Sequence, residues 1–241
     1  MSLESRRIMQ HIITELLFPR RCPVCDGIVT PWGALCCKDC IPGLAYIGHD
    51  YCMKCGKGLS RQETEYCHDC RRHPHMFERG RSLYRYEGVA GAIFRFKYGG
   101  RQEYADFFAE EMYRYLGPDI RAMQADAIIP VPLHRSRYKE RGYNQSAVLG
   151  KALAKRLGVT FLDNLVVRQK KTVPQKQLSY TERQNNLKKA FKLVKNDVKL
   201  NTVIVIDDIY TTGSTVDALA QVLSEGGVKH IYVVTLAAGV E

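Results

Sequence analysis

The sequence predicts a doubly wound α/β domain built on a parallel sheet, preceded by a small metal-binding domain. From residue 77 to residue 241, strand-like apolar runs alternate with amphipathic helical segments, which is typical of a parallel α/β fold. The run 203–206 is continuously apolar, as in a central parallel strand covered on both faces. All nine cysteines lie within residues 1–76, in spacings typical of metal sites. We therefore predict a domain boundary between residues 76 and 77.

The N-terminal segment predicts a short amphipathic helix. Apolar residues recur at helical spacing from Ile8 to Leu17, but charged residues interrupt them, and no long apolar core or small-residue cleavage site follows. Elsewhere in the chain no apolar run approaches the roughly 20 residues that a membrane-spanning helix needs. We expect a cytoplasmic protein without a membrane span. In such a reducing compartment, cysteines hold metal far more often than they form disulfides.

The cysteines form an internal repeat. Two C-x-x-C pairs separated by eleven residues make one set, and an identical set follows 30 positions later. Two such pairs supply the four corners of a tetrahedral zinc site with no open coordination position. We predict two structural Cys₄ zinc sites, whose metal supplies most of the folding free energy of so short a segment. The eight predicted ligands are Cys22, Cys25, Cys37, Cys40, Cys52, Cys55, Cys67 and Cys70.

Several alternatives to this ligand set exist. Cys36 is adjacent to Cys37, but only Cys37 completes the repeat. His68 and His73 could replace a thiolate, although all eight repeat positions are already filled by cysteine. A redox dithiol is a further use of C-x-x-C, which two matched sets disfavour. Crossed pairing between the sets would use the same eight ligands, so the pairing stays open.

The elements of the second domain follow from periodicity and from breakers such as Gly99-Gly100 and Gly226-Gly227. Gly158 predicts the C-cap of one helix. The predicted strands are 81–86, 127–132, 203–206 and 231–236, and the predicted helices are 88–98, 104–116, 145–157 and about 215–225.

The segment 207–215 follows the apolar strand and leads into a helix. Free backbone N–H groups and the helix dipole make a helix N-terminus an anion site. Gly213 lets the backbone approach a phosphate closely, and the surrounding threonine and serine hydroxyls add donors. The carboxylates of Asp207 and Asp208 suit a ribose diol or its Mg²⁺ rather than the phosphate itself.

This segment resembles the motif with which type I phosphoribosyltransferases bind 5-phosphoribosyl-1-pyrophosphate (PRPP) together with Mg²⁺. The resemblance implies that the acidic pair binds the ribose hydroxyls and that the loop holds the 5-phosphate. The residues so assigned are Asp207, Asp208, Tyr210, Thr211, Thr212, Gly213, Ser214 and Thr215. It also implies a pyrophosphate loop near residues 129–145 and a flexible loop near 167–178. Their candidate phosphate contacts are Arg135, Arg137, Arg141 and Lys176.

The whole chain resembles the ComF/ComFC competence family. The features that carry this resemblance are the Cys₄ ribbons, Tyr84–Gly88, Phe96–Gly100, Pro130–His134, Arg141–Gln145, Gln177-Leu178 with Arg183 and Asn186, and the motif at 207–213. The resemblance covers nearly everything from residue 18 onward. It implies a cytosolic protein of natural transformation that works on incoming single-stranded DNA alongside a helicase-like partner.

Charge and aromatic content support two hypotheses about function. The net charge is +11, and residues 135–199 hold 17 basic and four acidic side chains, a field that favours a polyanionic ligand. One hypothesis is an active phosphoribosyltransferase that displaces pyrophosphate from Mg²⁺-PRPP, although the sequence identifies neither an acceptor nor a general base. The favoured one is a PRPP-binding competence protein that handles nucleic acid. Its candidate stacking residues are Tyr84, Tyr86, Phe94, Phe96 and Tyr98, of which Phe94 and Phe96 are also predicted core residues.

Overall fold

A computed structural model describes residues 18–60, 64–169, 190–194 and 199–239. The strands are β1 (Gly80–Arg85), β2 (Ala127–Pro130), β3 (Thr160–Phe161), β4 (Val166–Arg168), β5 (Phe191–Leu193), β6 (Thr202–Tyr210) and β7 (His230–Ala238). The helices are α1 (His68–Arg72), α2 (Tyr86–Tyr98), α3 (Tyr104–Ala122), α4 (Arg135–Arg141), α5 (Gln145–Leu157) and α6 (Ser214–Glu225), with a 3₁₀ helix at Lys38–Gly43. The predicted N-terminal helix, Lys176, Gln177, Leu178, Arg183 and Asn186 lie outside the described residues.

Five strands form one sheet in the order β1-β7-β6-β2-β3, and every pair in it is parallel. β6 lies at the centre with its residues 202–206 buried, because helices cover both faces of the sheet. β4 and β5 form a separate antiparallel pair. The doubly wound parallel α/β fold predicted from the sequence is confirmed.

The helix and strand predictions agree with the structure where a local signal is strong. α5 begins after Asn144, whose side chain accepts a hydrogen bond from the Ser146 N–H, and ends at Gly158 in the left-handed conformation (φ 70°). α3 continues through Pro118 to Ala122, beyond the predicted end at residue 116, because its last turns carry the buried Ile120 on the same face as Leu116.

Two predictions of local structure were wrong. The central strand does not end at Ile206, since β6 continues to Tyr210 by pairing with β7 as far as Ala238. Asp207 and Asp208 therefore lie within a strand, just past the point where the neighbouring β2 ends opposite Ile206. The segment after β2 is the helix α4 for seven residues rather than a loop. It ends at Gly142 (φ 79°), a backbone conformation that favours glycine.

The cysteine-rich segment folds against the edge of the sheet. The chain between the two cysteine sets follows β1, with the Ile47 N–H donating to the Leu83 carbonyl at 2.8 Å and the Arg85 N–H to the Ala45 carbonyl at 2.8 Å. The Gly80 N–H donates to the carbonyl of Lys54 at 2.7 Å. The outer edge of β1 is thus hydrogen-bonded to the cysteine-rich segment.

Among the residues that the structure describes, no helix is both long enough and apolar enough to cross a membrane.

Candidate functional site

The eight predicted metal ligands meet in two groups of four. In each group the four sulfur atoms lie within 4.8 Å of one another: Cys22, Cys25, Cys37 and Cys40 in the first, and Cys52, Cys55, Cys67 and Cys70 in the second. The two C-x-x-C pairs of each set thus share one site, and the crossed arrangement does not occur. Four thiolates at Zn–S bonds of about 2.3 Å stand about 3.8 Å apart in a tetrahedron. The observed contact of 3.6 Å between Cys55 and Cys67 fits that size.

Cys36 lies beside the first group without belonging to it. Its sulfur is 3.6 Å from that of Cys22, and its side chain is buried. The ligand set predicted from the repeat, with Cys37 and not Cys36, is the one that the structure brings together. We name the first group with its loops ribbon 1 (residues 18–43) and the second ribbon 2 (residues 50–60 and 64–73).

The acidic pair lies on β6 just past the end of β2, and each carboxylate has its own partner. The Asp208 carboxylate is 2.9 Å from the ammonium group of Lys97, at the end of α2. The Asp207 carboxylate accepts hydrogen bonds from the Ser146 hydroxyl at 2.7 Å and from the Asp208 N–H at 2.9 Å. Burial, followed by the neighbouring charge of Asp208, raises the pKa of Asp207 to about 7. A divalent cation or a cationic donor at this position would favour the ionised form.

The loop after β6 turns into α6 through Gly213. This glycine has φ 79°, and a Cβ on it would stand 2.3 Å from the Tyr210 hydroxyl oxygen. Thr211 is exposed, while Thr212 and Ser214 have their hydroxyls 3.0 Å apart. The loop thus presents hydroxyls and the N-terminal N–H groups of a 12-residue helix next to the acidic pair. We call residues 211–215 the phosphate loop, after the role that the sequence predicts for them.

Tyr210 has a different position from its neighbours in the motif. Its side chain is buried and faces His75 and Phe77. Burial and the charges of the ribbon 2 thiolates Cys55 and Cys70 raise its pKa, so that the hydroxyl stays protonated. Any contribution of this side chain to ligand binding therefore goes through the shape of the phosphate loop.

The predicted pyrophosphate arginines lie on α4. Arg135 and Arg137 are exposed there. Arg141 is held in place, because its guanidinium donates to the Gln145 side-chain oxygen at 2.8 Å and to the Tyr98 hydroxyl at 2.9 Å. Arg141 also stacks on the Tyr98 ring, 4.7 Å from its centroid.

A cleft of about 820 Å³ opens beside α4. Its walls come from the segment after β2, from α4, from the turn that joins α4 to α5, from the start of α5 and from β4. They include Arg135 and Tyr138 of α4 and Arg168 of β4. β4 and β5 pair antiparallel on either side of residues 170–189. The flexible loop was predicted near 167–178, and its first residues, Val167 and Arg168, lie in β4. Lys176 lies outside the described residues.

Several residues at the site escaped the sequence analysis. Lys97 and Gln145 belong to segments that carry the family resemblance, and Ser146 belongs to a predicted helix. The sequence assigned none of the three a role at the site. Lys97 follows the buried Phe96 in the last turn of α2, where Arg95 is also basic, so no local signal set it apart. His75 had no signal, because its partners Asp217 and Tyr210 lie more than 130 positions away in the sequence.

The aromatic residues predicted to stack on bases include both buried and exposed side chains. Tyr84 and Phe96 are fully buried, whereas Phe94 is 63 % exposed and Tyr98 is 50 % exposed. The prediction that Phe94 packs in the core was therefore wrong. Its ring lies 5.1 Å from that of Tyr98, one turn further along α2.

Comparisons with known proteins cover both parts of the chain. A family model described as the double zinc ribbon domain matches residues 13–71. Another, described as the phosphoribosyl transferase domain, matches residues 144–241. Together with the two four-cysteine groups, the first match shows two zinc sites.

Three relatives illustrate the extent of similarity. Competence protein F of Haemophilus influenzae is 33% identical over 229 residues, which is 91% of this chain and 97% of that protein. Competence protein ComFC of Streptococcus pneumoniae is 28% identical over 206 residues, covering 81% of this chain and 84% of that protein. DNA utilization protein YhgH of Salmonella typhi is 42% identical over 108 residues, covering 45% of this chain and 47% of that protein.

Proposed function

Because this chain belongs to the competence protein F (ComF/ComFC) family, we propose that it is a PRPP-binding, phosphoribosyltransferase-like protein of natural transformation that handles incoming single-stranded DNA. The observation that carries the PRPP part is the position of Asp207 and Asp208, directly before a phosphate loop at a helix N-terminus. The carboxylates bind the ribose hydroxyls, and the phosphate loop holds the 5-phosphate through its N–H groups and hydroxyls.

Mg²⁺ accompanies PRPP in this proposal. Asp207 and Asp208 lie in β6 just before the phosphate loop, and carboxylate oxygens together with phosphate oxygens are what Mg²⁺ prefers. Lys97 neutralises the Asp208 carboxylate in the free protein. When Mg²⁺-PRPP binds, the cation takes over this neutralisation. Arg135 and Arg137 on α4, with Lys176, attract the pyrophosphate, while Arg141 keeps α4 against Tyr98.

Calorimetric titration of Mg²⁺-PRPP tests the binding site. We expect the wild type to bind and the double variant Asp207→Asn/Asp208→Asn to lose binding, because the amides remove both charges but keep the shape. Asp50→Asn, at an exposed position at the start of ribbon 2, is the matched control and should bind like the wild type. Absence of binding to folded, zinc-loaded wild type would reject the PRPP proposal.

Exposed aromatic and basic residues support the DNA part of the proposal. Phe94, Tyr98 and Arg141 form a continuous stack on the surface. Lys97, the ion-pair partner of Asp208, is the residue before Tyr98 in α2. Stacking on aromatic rings and guanidinium groups binds single-stranded bases without sequence preference, at about 1–3 kcal/mol per base. The exposed Arg135, Arg137 and Lys139 on α4 add the charge that the DNA backbone requires.

Fluorescence anisotropy with a labelled oligothymidylate measures this interaction. We expect Phe94→Ala/Tyr98→Ala to weaken binding about tenfold or more, from the loss of one or two stacked bases. Trp32→Ala is the matched control, since Trp32 is 61 % exposed on ribbon 1. If only Trp32→Ala weakened binding, the DNA would lie on ribbon 1. Affinity that does not fall with added salt would contradict phosphate contacts.

The broader assignments in this proposal rest on family membership. We place the boundary between the zinc-ribbon part and the phosphoribosyltransferase-like domain at residues 76 and 77. We also propose that the protein acts in the cytoplasm alongside a helicase-like competence partner.

A second candidate function is an active phosphoribosyltransferase of nucleotide metabolism. The acidic pair and the phosphate loop are both complete, and the cleft beside α4 has room for an acceptor. In that reaction the acceptor nitrogen forms a bond to C1 of the ribose, and the bond to pyrophosphate breaks. Release of pyrophosphate from Mg²⁺-PRPP in the presence of a panel of nucleobases tests it. Turnover by the wild type and none by Asp207→Asn/Asp208→Asn would establish the enzyme.

A further inference from the structure

The back of the phosphate loop is in contact with a buried histidine from the zinc-ribbon segment. His75 follows Cys70, the last ligand of ribbon 2, by five residues. Its side chain is only 1 % exposed, and its Nδ1 lies 2.8 Å from the carboxylate of Asp217, itself 5 % exposed. Asp217 lies in the first turn of α6, the helix that the phosphate loop opens.

Asp217 holds the ribbon segment with both of its oxygens. One oxygen accepts from His75 Nδ1, because a carboxylate can only accept, and the other accepts from the Met76 N–H at 2.9 Å. Hydrogen bonds to a buried charged group are among the strong ones in proteins. Residues 75 and 76 are thereby fixed to the start of α6.

The opposite side of the imidazole faces Tyr210. His75 Nε2 is 3.4 Å from the Tyr210 hydroxyl oxygen, within hydrogen-bonding distance. His75 also stacks on Phe77, with ring centroids 4.9 Å apart, and Phe77 packs edge-on against Tyr210. The histidine therefore connects both ends of the phosphate loop, Tyr210 before it and Asp217 after it.

Gly213 shows how closely the loop fits these side chains. A Cβ at this position would stand 2.3 Å from the Tyr210 hydroxyl oxygen and 2.8 Å from His75 Cε1. The turn of the loop is thus in direct contact with the pair, and a shift of His75 would move the backbone that faces the phosphate.

Ribbon 2 supports the same residues from behind. Lys57 lies 5.9 Å from the centroid of the Tyr210 ring and is ion-paired at 2.8 Å with Asp69. Asp69 lies on α1 between the ligands Cys67 and Cys70. Cys52, Cys55, Cys67, Phe77 and Tyr210 belong to one buried cluster. The metal-bound fold of ribbon 2 therefore holds α1, and with it the segment that carries His75.

From these contacts we infer that His75 and Asp217 form a clamp through which ribbon 2 sets the shape of the phosphate loop. His75 is a positioning residue, since it lies behind the loop and acts on the ligand through Gly213 and Tyr210. The inference rests on the proposed role of the loop in phosphate binding. It assigns ribbon 2 a part in the ligand site in addition to its own structural zinc.

Two measurements on His75→Ala test the clamp. Hydrogen–deuterium exchange of a peptide covering 209–219 needs no ligand, and we expect faster exchange than in the wild type. Titration with Mg²⁺-PRPP should show a loss of affinity of about ten- to a hundredfold, the equivalent of losing hydrogen bonds to a buried charged group. His49→Ala, at an exposed position between the ribbons, is the matched control and should change neither.

Conservative substitution separates positioning from folding. His75→Asn keeps a donor near the place of Nδ1, so it should restore much of the slow exchange and of the affinity. The zinc content of every variant is measured in parallel. The clamp is rejected if His75→Ala, with two zinc ions still bound, leaves both exchange and affinity as in the wild type. If the wild type itself binds no PRPP, the proposed function fails, and the exchange measurement alone decides on the clamp.

Discussion

The two ribbons have the same cysteine spacing and different surroundings. Ribbon 1 packs on helices: Arg95 of α2 donates to the carbonyls of Pro23 and Val24 at 3.0 and 2.7 Å, and the Tyr104 hydroxyl of α3 donates to Asp26 at 2.6 Å. Ribbon 2 packs on β1 and the end of β6, and the segment that directly follows it binds the start of α6 through His75. Ribbon 1 therefore supports the outer helices, whereas ribbon 2 supports the proposed ligand site. Identical metal motifs can thus have unequal effects on function.

Removing one zinc ligand from each ribbon in turn gives the strongest test of these unequal roles. Cys67→Ser and Cys37→Ser should each lower the zinc content from two ions to one, because a four-thiolate site tolerates little change. We expect Cys67→Ser to weaken Mg²⁺-PRPP binding by about tenfold or more, and Cys37→Ser by much less. Zinc is quantified by elemental analysis and affinity by calorimetry.

Circular dichroism of both cysteine variants identifies any variant that has unfolded completely. Equal losses of affinity in two folded variants would contradict the different roles of the ribbons.

Gly213→Ala acts where ribbon 2 and the phosphate loop meet. Its φ of 79° and the contacts of the new Cβ with Tyr210 and His75 both oppose the substitution. We expect a destabilisation of about 2–4 kcal/mol in denaturant unfolding, together with loss of PRPP binding.

Gly227→Ala is the matched control for that substitution. Gly227 also has a positive φ (95°), but no atom lies within 4 Å of its Cβ position. It should cost about 1 kcal/mol from backbone strain alone and leave ligand affinity unchanged. If both glycine variants behaved alike, the fit of the loop against His75 would have no consequence.

Arg95→Ala tests the attachment of ribbon 1. Its guanidinium bridges two loop carbonyls next to Cys22 and Cys25, so we expect a loss of about 1.5–3 kcal/mol in stability and faster zinc release to a chelator. PRPP affinity should stay near that of the wild type, in contrast to the ribbon 2 variants. Lys151→Ala, exposed on α5, should change none of these quantities.

The titration of Asp207, next to the phosphate loop, should change the free energy of unfolding only slightly. The folded pKa of Asp207 is about 7, above its ordinary value of 3.8. The folded state therefore holds a proton that the unfolded state has released, and stability falls as pH rises through this window. Between pH 6 and 8 we expect a loss of about 1 kcal/mol in the wild type.

Two variants check the assignment of this titration. Asp207→Asn should remove the pH dependence in that range. Asp126→Asn should leave it, because hydrogen bonds from the Thr202 and Asn201 N–H groups lower the pKa of Asp126 and its titration lies at more acidic pH. Asp207→Asn with an unchanged pH dependence would assign the effect to another group.

Sequence alone predicted the features whose cause is local. The metal ligands follow from a spacing that a tetrahedron requires, and α5 follows from a helical period ended by Gly158. The turn from β6 into α6 was located because a glycine between hydroxyl residues opens a helix after an apolar strand.

Features that depend on distant partners could not be predicted. β6 extends past Ile206 because β7 offers paired residues up to Ala238, although Asp207 and Asp208 are poor strand formers. α4 has no buried residue, so it lacks the apolar period that would mark a helix. Phe94 and Phe96 are alike in sequence, and only their positions around α2 decide that the first is exposed.

The hydrogen bonds between the cysteine-rich segment and β1 have a consequence for the state of the chain in a cell poor in zinc. An open strand edge is a template for pairing with another chain. β1 is six residues long, and the strand at the other edge, β3, has only two. Loss of the metal would free the longer edge, and we expect zinc-depleted chains to self-associate through it and to be removed by proteolysis. Zinc supply would then set how much of this protein a cell holds.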